Sequence, residues 1–122
     1  MNHSELFITD NEQNWKNTEP GVKRKILVHN EDLMLVKVAF ETGAIGSLHQ
    51  HIHTQTSYLV SGKFEVTIDG KTTILNAGDS FYVPPASMHG VVCLEAGVLL
   101  DAFNPRREDF LASPQPSLEE RE

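Results

Sequence analysis

The chain is poor in the features that define several protein classes. It has one cysteine, Cys93, in 122 residues, which excludes an internal disulfide and a thiolate metal cluster. Cationic side chains are scarce: 10 lysines and arginines against 17 acids give a net charge of −7, the wrong sign for a phosphate backbone. No nucleic-acid partner is expected. No apolar run approaches the ~20 residues of a membrane span, and residues 1–17 are polar and acidic, without the apolar segment of a secretion signal. A soluble cytoplasmic protein with no membrane partner is the expectation. Internal repeats are absent too. The hydrophobic share, 39%, suffices for one ordinary core in one domain.

What is present is alternation. In residues 33–40 the face Met34, Val36, Val38 and Phe40 is apolar, with Leu35, Lys37 and Ala39 between, the period-two signature of a strand. Phe64, Val66 and Ile68 alternate with Glu65 and Thr67, and Asp69-Gly70 then signals a two-residue hairpin. Turns are expected at Pro20-Gly21, residues 42–46, Ser61-Gly62, residues 76–79, the loop 84–87 and residues 95–97. Short strands with turns at this spacing predict an all-β sandwich or barrel. A short helix fits residues 105–111. The domain reading is an arm at 1–20, a barrel at 21–111 and a charged tail at 112–122. Trp15 stands alone among polar residues, as a packing anchor for the arm or a contact at a site or dimer. Cys93, in an apolar run, reads as core.

Residues 48–55, Leu-His-Gln-His-Ile-His-Thr-Gln, are the chemical centre of the sequence. On a strand, His49, His51, His53 and Gln55 would share one face. Three imidazoles in five residues do not resemble a core, and neutral imidazole binds Zn, Fe, Ni and Cu. A single divalent transition metal is expected there.

The spacing Gly43, His49-x-His51, Gln55, Gly62, followed by Gly78, Pro84 and His89, resembles the two motifs of the cupins. Three positions depart from the pattern: Gln55 replaces a glutamate, Ala86 a glycine and Cys93 an asparagine. The resemblance implies a double-stranded β-helix, a jelly-roll barrel. It implies metal ligands His49, His51, Gln55 and His89, with His53 either an outer partner of the ligands or a rim residue. Four neutral ligands leave the ion its full charge, which favours Lewis-acid chemistry on an anion over stabilisation of high-valent iron. Small cupin barrels commonly pair, so a homodimer is expected.

Pro20-Gly21-Val22-x-Arg24, Tyr58-x-x-Ser61-Gly62 and residues 100–110 sharpen the likeness to pectin-degradation cupins of the KdgF type, across most of residues 20–110. Those proteins open and ketonise 4,5-unsaturated uronates from pectin and alginate, so a small anionic sugar substrate and an isomerase-type activity are implied. The implied catalytic residues are Asp101 and Arg107. Phe103, Arg106 and Tyr58 are the implied substrate contacts, with Arg106 and Arg107 both candidates for the carboxylate clamp. The residues themselves agree. Asp101 interrupts an apolar run, where a carboxylate is costly unless paired or working; it shares a strand face with Phe103; and arginine suits a carboxylate. The alternative is an Asp101–Arg107 structural pair with Phe103 in the core. At the level of function, the alternatives are a dioxygenase and a non-catalytic sugar-acid-binding cupin.

Overall fold

The computed structural model describes residues 2–112; the expected tail lies outside them from residue 113 on. The elements in order are a 3-10 turn at Asp10–Glu12, β1 (Lys16–Glu19), β2 (Val22–His29), β3 (Met34–Phe40), β4 (Ile45–His49), β5 (Thr54–Ile68), β6 (Lys71–Asn76), β7 (Ser80–Val83), β8 (His89–Asn104) and α1 (Glu108–Ala112). All strand pairs are antiparallel. The order β1-β2-β3-β8-β5-β6 is completed by β4 on β8 and β7 on β5. This is the expected all-β jelly roll.

Two long strands organise it. β5 pairs with β7 in its first half and β6 in its second, while β8 pairs first with β4 and later with β3. They also pair with each other along their length, with register breaks between Leu59 and Phe64. Here the expected turns at Ser61-Gly62 and residues 95–97 prove to be bends inside β5 and β8. The turn residues have another use. A Cβ on Gly62 would lie 2.6 Å from the Glu95 carbonyl oxygen, and one on Gly97 2.1 Å from that of Ser61. The two backbones touch at the bend, and only glycine allows it.

The Asp69-Gly70 hairpin forms as read, both residues having positive φ and Ile68 facing Lys71. Residues before Pro20 are not a free arm. β1 pairs with β2, Ser4 N–H donates to the His29 carbonyl at 2.9 Å, and Lys25 Nζ reaches the Asp10 carbonyl at 2.9 Å. The Trp15 ring lies 4.7 and 4.6 Å from the ammonium groups of Lys23 and Lys25, so it covers cationic stems.

The core has two parts. Leu59, Phe64, Val66, Cys93 and Leu99 pack with Val22, Phe40 and Ala44, while Met34, Val36 and Phe103 form a second cluster. Cys93 is fully buried, as read. The helix begins later than expected, at Glu108, so Arg107 precedes it. No helix among the described residues is long and apolar enough to cross a membrane.

Candidate metal centre and active site

The histidines do converge, but not along one strand. His49 ends β4, His51 and His53 lie in the bend that follows, and Gln55 is the second residue of β5. His89 opens β8 opposite His49. One nitrogen from each of His49, His51 and His89 falls within 4.8 Å of the others. The loop after β7 helps to hold the bend in place: Ala86 N–H donates to the His51 carbonyl at 2.7 Å. Ala86 does so at φ 67°, the left-handed region that glycine favours, which explains why the cupin pattern has glycine there.

Each imidazole is oriented by the backbone. Nδ1 of His49 meets the Ser47 carbonyl at 2.7 Å, Nδ1 of His51 the His53 carbonyl at 3.1 Å, and Nδ1 of His89 the Ser87 carbonyl at 2.9 Å. A carbonyl only accepts, so Nδ1 carries the proton and Nε2 presents a lone pair. Nε2 of His89 is buried with no hydrogen-bond partner. Burial, reinforced by the neighbouring His49, His51 and Arg107, holds His89 down at about 4, so it stays neutral through the physiological range. His51 is lowered too, chiefly by burial.

Gln55 links this cluster to the acid. Its Oε1 lies 2.9 Å from His51 Nε2, and its Nε2 donates to Ser57 Oγ at 2.9 Å. Ser57 Oγ donates to Asp101 Oδ1 at 2.6 Å. The polarity of this line is set from its far end. An ionised Asp101 only accepts, so Ser57 donates to it and accepts from the Gln55 amide, which turns the amide oxygen toward His51. Two lone pairs then lie 2.9 Å apart with no proton between them, a spacing that suits a cation seated beside the pair and held by both at about 2.0–2.2 Å. The donor set therefore fits a divalent ion held by His49, His51, His89 and Gln55.

Asp101 is 8% exposed. Burial pushes it up to about 6, although the Ser57 hydrogen bond and the Arg107 charge oppose the rise. It has the value of a group that can both take and give a proton near neutrality.

A cavity of about 270 Å³ joins these groups, lined by His49, Gln55, His89, Asp101, Phe103, Arg107 and Phe110 among others. Thr18 and Glu19 of β1 also line it, and Glu19 Oε1 accepts from Ser47 Oγ at 3.0 Å, so the segment read as an arm forms part of the mouth. Phe103 is buried, with its ring centroid 5.7 Å from that of His51 and 5.8 Å from that of Phe110.

Arg107 lines the cavity and is committed to Asp109 by two bonds, Nε to Oδ1 at 3.0 Å and Nη2 to Oδ2 at 2.8 Å; its ion pair is with Asp109, not with the Asp101 of the alternative reading. Two expected substrate contacts are not brought here. Tyr58 has the opposite parity to Gln55 and Ser57 on β5 and stands half exposed on the outer face. The Arg106 guanidinium bonds Glu108 at 2.9 Å and the Asn2 carbonyl at 3.1 Å, away from the cavity lining. His53 stays outside the three-histidine group, its ring 5.3 Å from that of His51. Sequence reasoning missed Ser57, which its two-residue offset from Gln55 would have placed on the same face.

Comparison with known proteins agrees with this geometry. The Cupin_2 family, described as a cupin domain, matches residues 36–103. Pectin degradation protein KdgF of Dickeya dadantii is 48% identical over 107 residues, covering 86% of this chain and 97% of that protein. The crystal structure of an RmlC-like cupin from Shewanella frigidimarina superposes with a TM-score of 0.87 at 46% identity, covering 90% of this chain and 99% of the other. KdgF from Halomonas sp. superposes with a TM-score of 0.83 at 44% identity, covering 88% and 99%. The chain belongs to the cupin family, and within it to the relatives of the pectin degradation protein KdgF.

Proposed function

We propose that the protein is a metal-dependent isomerase that opens and ketonises 4,5-unsaturated uronates released from pectin or alginate. The observation that carries this reading is that Gln55, beside His51 in the histidine cluster, is hydrogen-bonded through Ser57 to a buried Asp101, in a relative of a pectin degradation protein. A divalent ion on His49, His51, His89 and Gln55 would supply a Lewis acid for the uronate's oxygens.

The chain's own residues then do the following. Arg107 gives the cavity wall positive charge that draws in the carboxylate. Phe103 offers an apolar face to the ring, and Asp101 moves the proton. The ionised carboxylate takes the proton of the C1 hydroxyl; C1=O forms as the C1–O5 bond breaks, and its electron pair stays on O5 as an enolate. Asp101 returns the proton to C4, so a C4–H bond forms while C5 becomes a ketone. Every atom and electron is kept, and no oxidant enters. A group near pH 6 suits both halves of this shuttle.

The test is decay of the ultraviolet absorbance of an unsaturated uronate with purified protein loaded with Zn, Ni, Mn or Fe. Faster decay with at least one metal is expected. Decay unchanged with all four would overturn the reading and leave a metal-binding or sugar-acid-binding cupin.

A further inference from the structure

The function above leaves one part of the sequence motif Pro20-Gly21-Val22-x-Arg24 unused. Arg24 lies on β2 between Val22 and Ile26, two residues from each. Val22 is buried in the larger apolar cluster and Ile26 packs against the smaller one. Arg24 therefore shares the inward face of its strand, opposite Val38 of β3. An inward cation is costly in a barrel this small unless something uses it.

Its surroundings point to an anion. The guanidinium carbon lies 3.6 Å from the centroid of the Phe110 ring. Arg107 lies over the same ring at 4.1 Å. The two arginines line one cavity with His49, His89 and Asp101. They differ in what they have to offer. Arg107 already gives Nε and Nη2 to both oxygens of Asp109, which is the edge a guanidinium uses to grip a carboxylate in two parallel bonds. Nε of Arg24 is buried and has no hydrogen-bond partner. A buried charged donor left unsatisfied is costly, and native structures rarely hold one without a reason. Burial, then the proximity of Arg107, lowers Arg24 to about 10, which leaves it protonated at neutral pH and more responsive to an arriving negative charge.

We propose that Arg24 is the group that grips the carboxylate of the sugar acid, with Arg107 tied to Asp109 as the neighbouring cationic wall. This rests on the uronate reading for its substrate class, and it moves the clamp away from both arginines that the sequence suggested.

The test uses an inert probe. D-Galacturonate carries the carboxylate but no 4,5 double bond, and D-galactose lacks the carboxylate. Calorimetric titration of the protein as purified should show galacturonate binding at least tenfold tighter than galactose. Arg24→Met keeps an apolar stem over Phe110 and should weaken galacturonate at least tenfold, with galactose, metal content and melting temperature unchanged. Arg24→Lys keeps the charge without the fork and should fall between the two, which also guards against a folding defect in the methionine variant. With unsaturated uronate, Arg24→Met should raise KM at least tenfold and leave kcat within about threefold. Unchanged galacturonate binding in Arg24→Met would overturn the proposal. So would a parent that does not prefer galacturonate, or a loss shared equally by galactose. Failure of the uronate reading looks different: the parent turns over no unsaturated uronate, while galacturonate binding still depends on Arg24.

Discussion

Strands β5 and β8 run through both ends of the barrel, and the two ends are built from different chemistry. On the inner face of β5, Gln55 and Ser57 are followed by Leu59, and after the bend by Phe64 and Val66. On β8, Cys93 precedes the bend, and Leu99, Asp101 and Phe103 follow it toward the mouth. Ser57 is 2% exposed and Leu59 0%, so burial does not distinguish them. At the closed end dispersion and apolar burial suffice, as where Phe40 and Phe64 meet edge to face with centroids 5.1 Å apart. At the open end buried polar groups face one another: Asp101, Ser57 and Gln55 are joined by hydrogen bonds, and the Gln55 oxygen and the imidazole nitrogens are left with lone pairs. One pair of strands thus provides an apolar plug and a polar cavity wall, and the change occurs within two residues. A buried polar line of this kind costs stability if any member is lost, which is why its members can be tested one at a time against the plug.

The largest effect should come from the cluster itself. His89→Ala removes a buried imidazole whose Nε2 has no other partner. Metal affinity should fall by more than the ~10–100-fold that loss of an outer partner costs, and turnover should drop to background. Metal analysis after dialysis, together with the absorbance assay, reads both. Full metal retention in this variant would remove His89 from the ligand set.

Asp101→Asn should leave metal content intact and lower turnover by ~10²–10⁴, the range for a lost acid–base group. The same change should alter how stability depends on pH. With its pKa raised to about 6, native Asp101 keeps its proton where the unfolded chain has lost it. Its contribution is therefore best below about pH 4 and declines as the pH climbs to about 6, by up to about 3 kcal/mol. Asparagine has no such decline, so its melting temperature relative to the parent should be higher at pH 8 than at pH 4. A parent-like rate in Asp101→Asn would mean that another group moves the proton.

Phe64→Ala strikes the plug instead. Loss of a fully buried ring should cost about 3–5 kcal/mol in denaturant unfolding, while the folded fraction binds metal with parent stoichiometry. If metal affinity fell with stability, the two ends would be one cooperative unit rather than two regions on shared strands.

The sequence made the fold class, the hairpin at Asp69-Gly70 and the inward face of β3 legible, because alternation and turn chemistry act locally. It also pointed to the histidines that converge, although His49 and His51 were read as neighbours on one strand, whereas His49 ends β4 and His51 lies in the bend that follows. Their spacing is preserved because the bend, held by the Ala86 N–H, returns the imidazoles to the same point. The turns expected near Gly62 and Gly97 were misread because a glycine allowing two backbones to touch looks, in one dimension, like a glycine allowing a reversal. Tyr58 was discoverable as an outward residue, since three positions from Gln55 is the wrong parity. Arg24 was hidden among Lys23 and Lys25, where a run of cations looks like a solvated edge. Only the burial of Val22 and Ile26 beside it shows which of the three faces inward.

The smallest expected effect concerns the bridge between the metal cluster and the acid. Ser57 touches the Gln55 amide on one side and the Asp101 carboxylate on the other. Ser57→Ala removes both bonds and leaves the three imidazoles as they are, so metal content should hold and kcat should fall by roughly tenfold, the lower end of the cost of losing an outer partner. A merely structural serine would do no more than that. The hydroxyl also lowers Asp101 against the upward push of burial, so without it the carboxyl should titrate higher. If the ionised form starts the reaction, the acid limb of the kcat/KM profile should move to higher pH in Ser57→Ala, and the loss should shrink as the pH is raised. Ser57→Thr keeps the hydroxyl on a strand that tolerates β-branching, and it should restore both the rate and the position of the limb. A limb that stays in place in Ser57→Ala would show that the hydroxyl fills space between two independent groups and that the line to Asp101 carries no electrostatic influence.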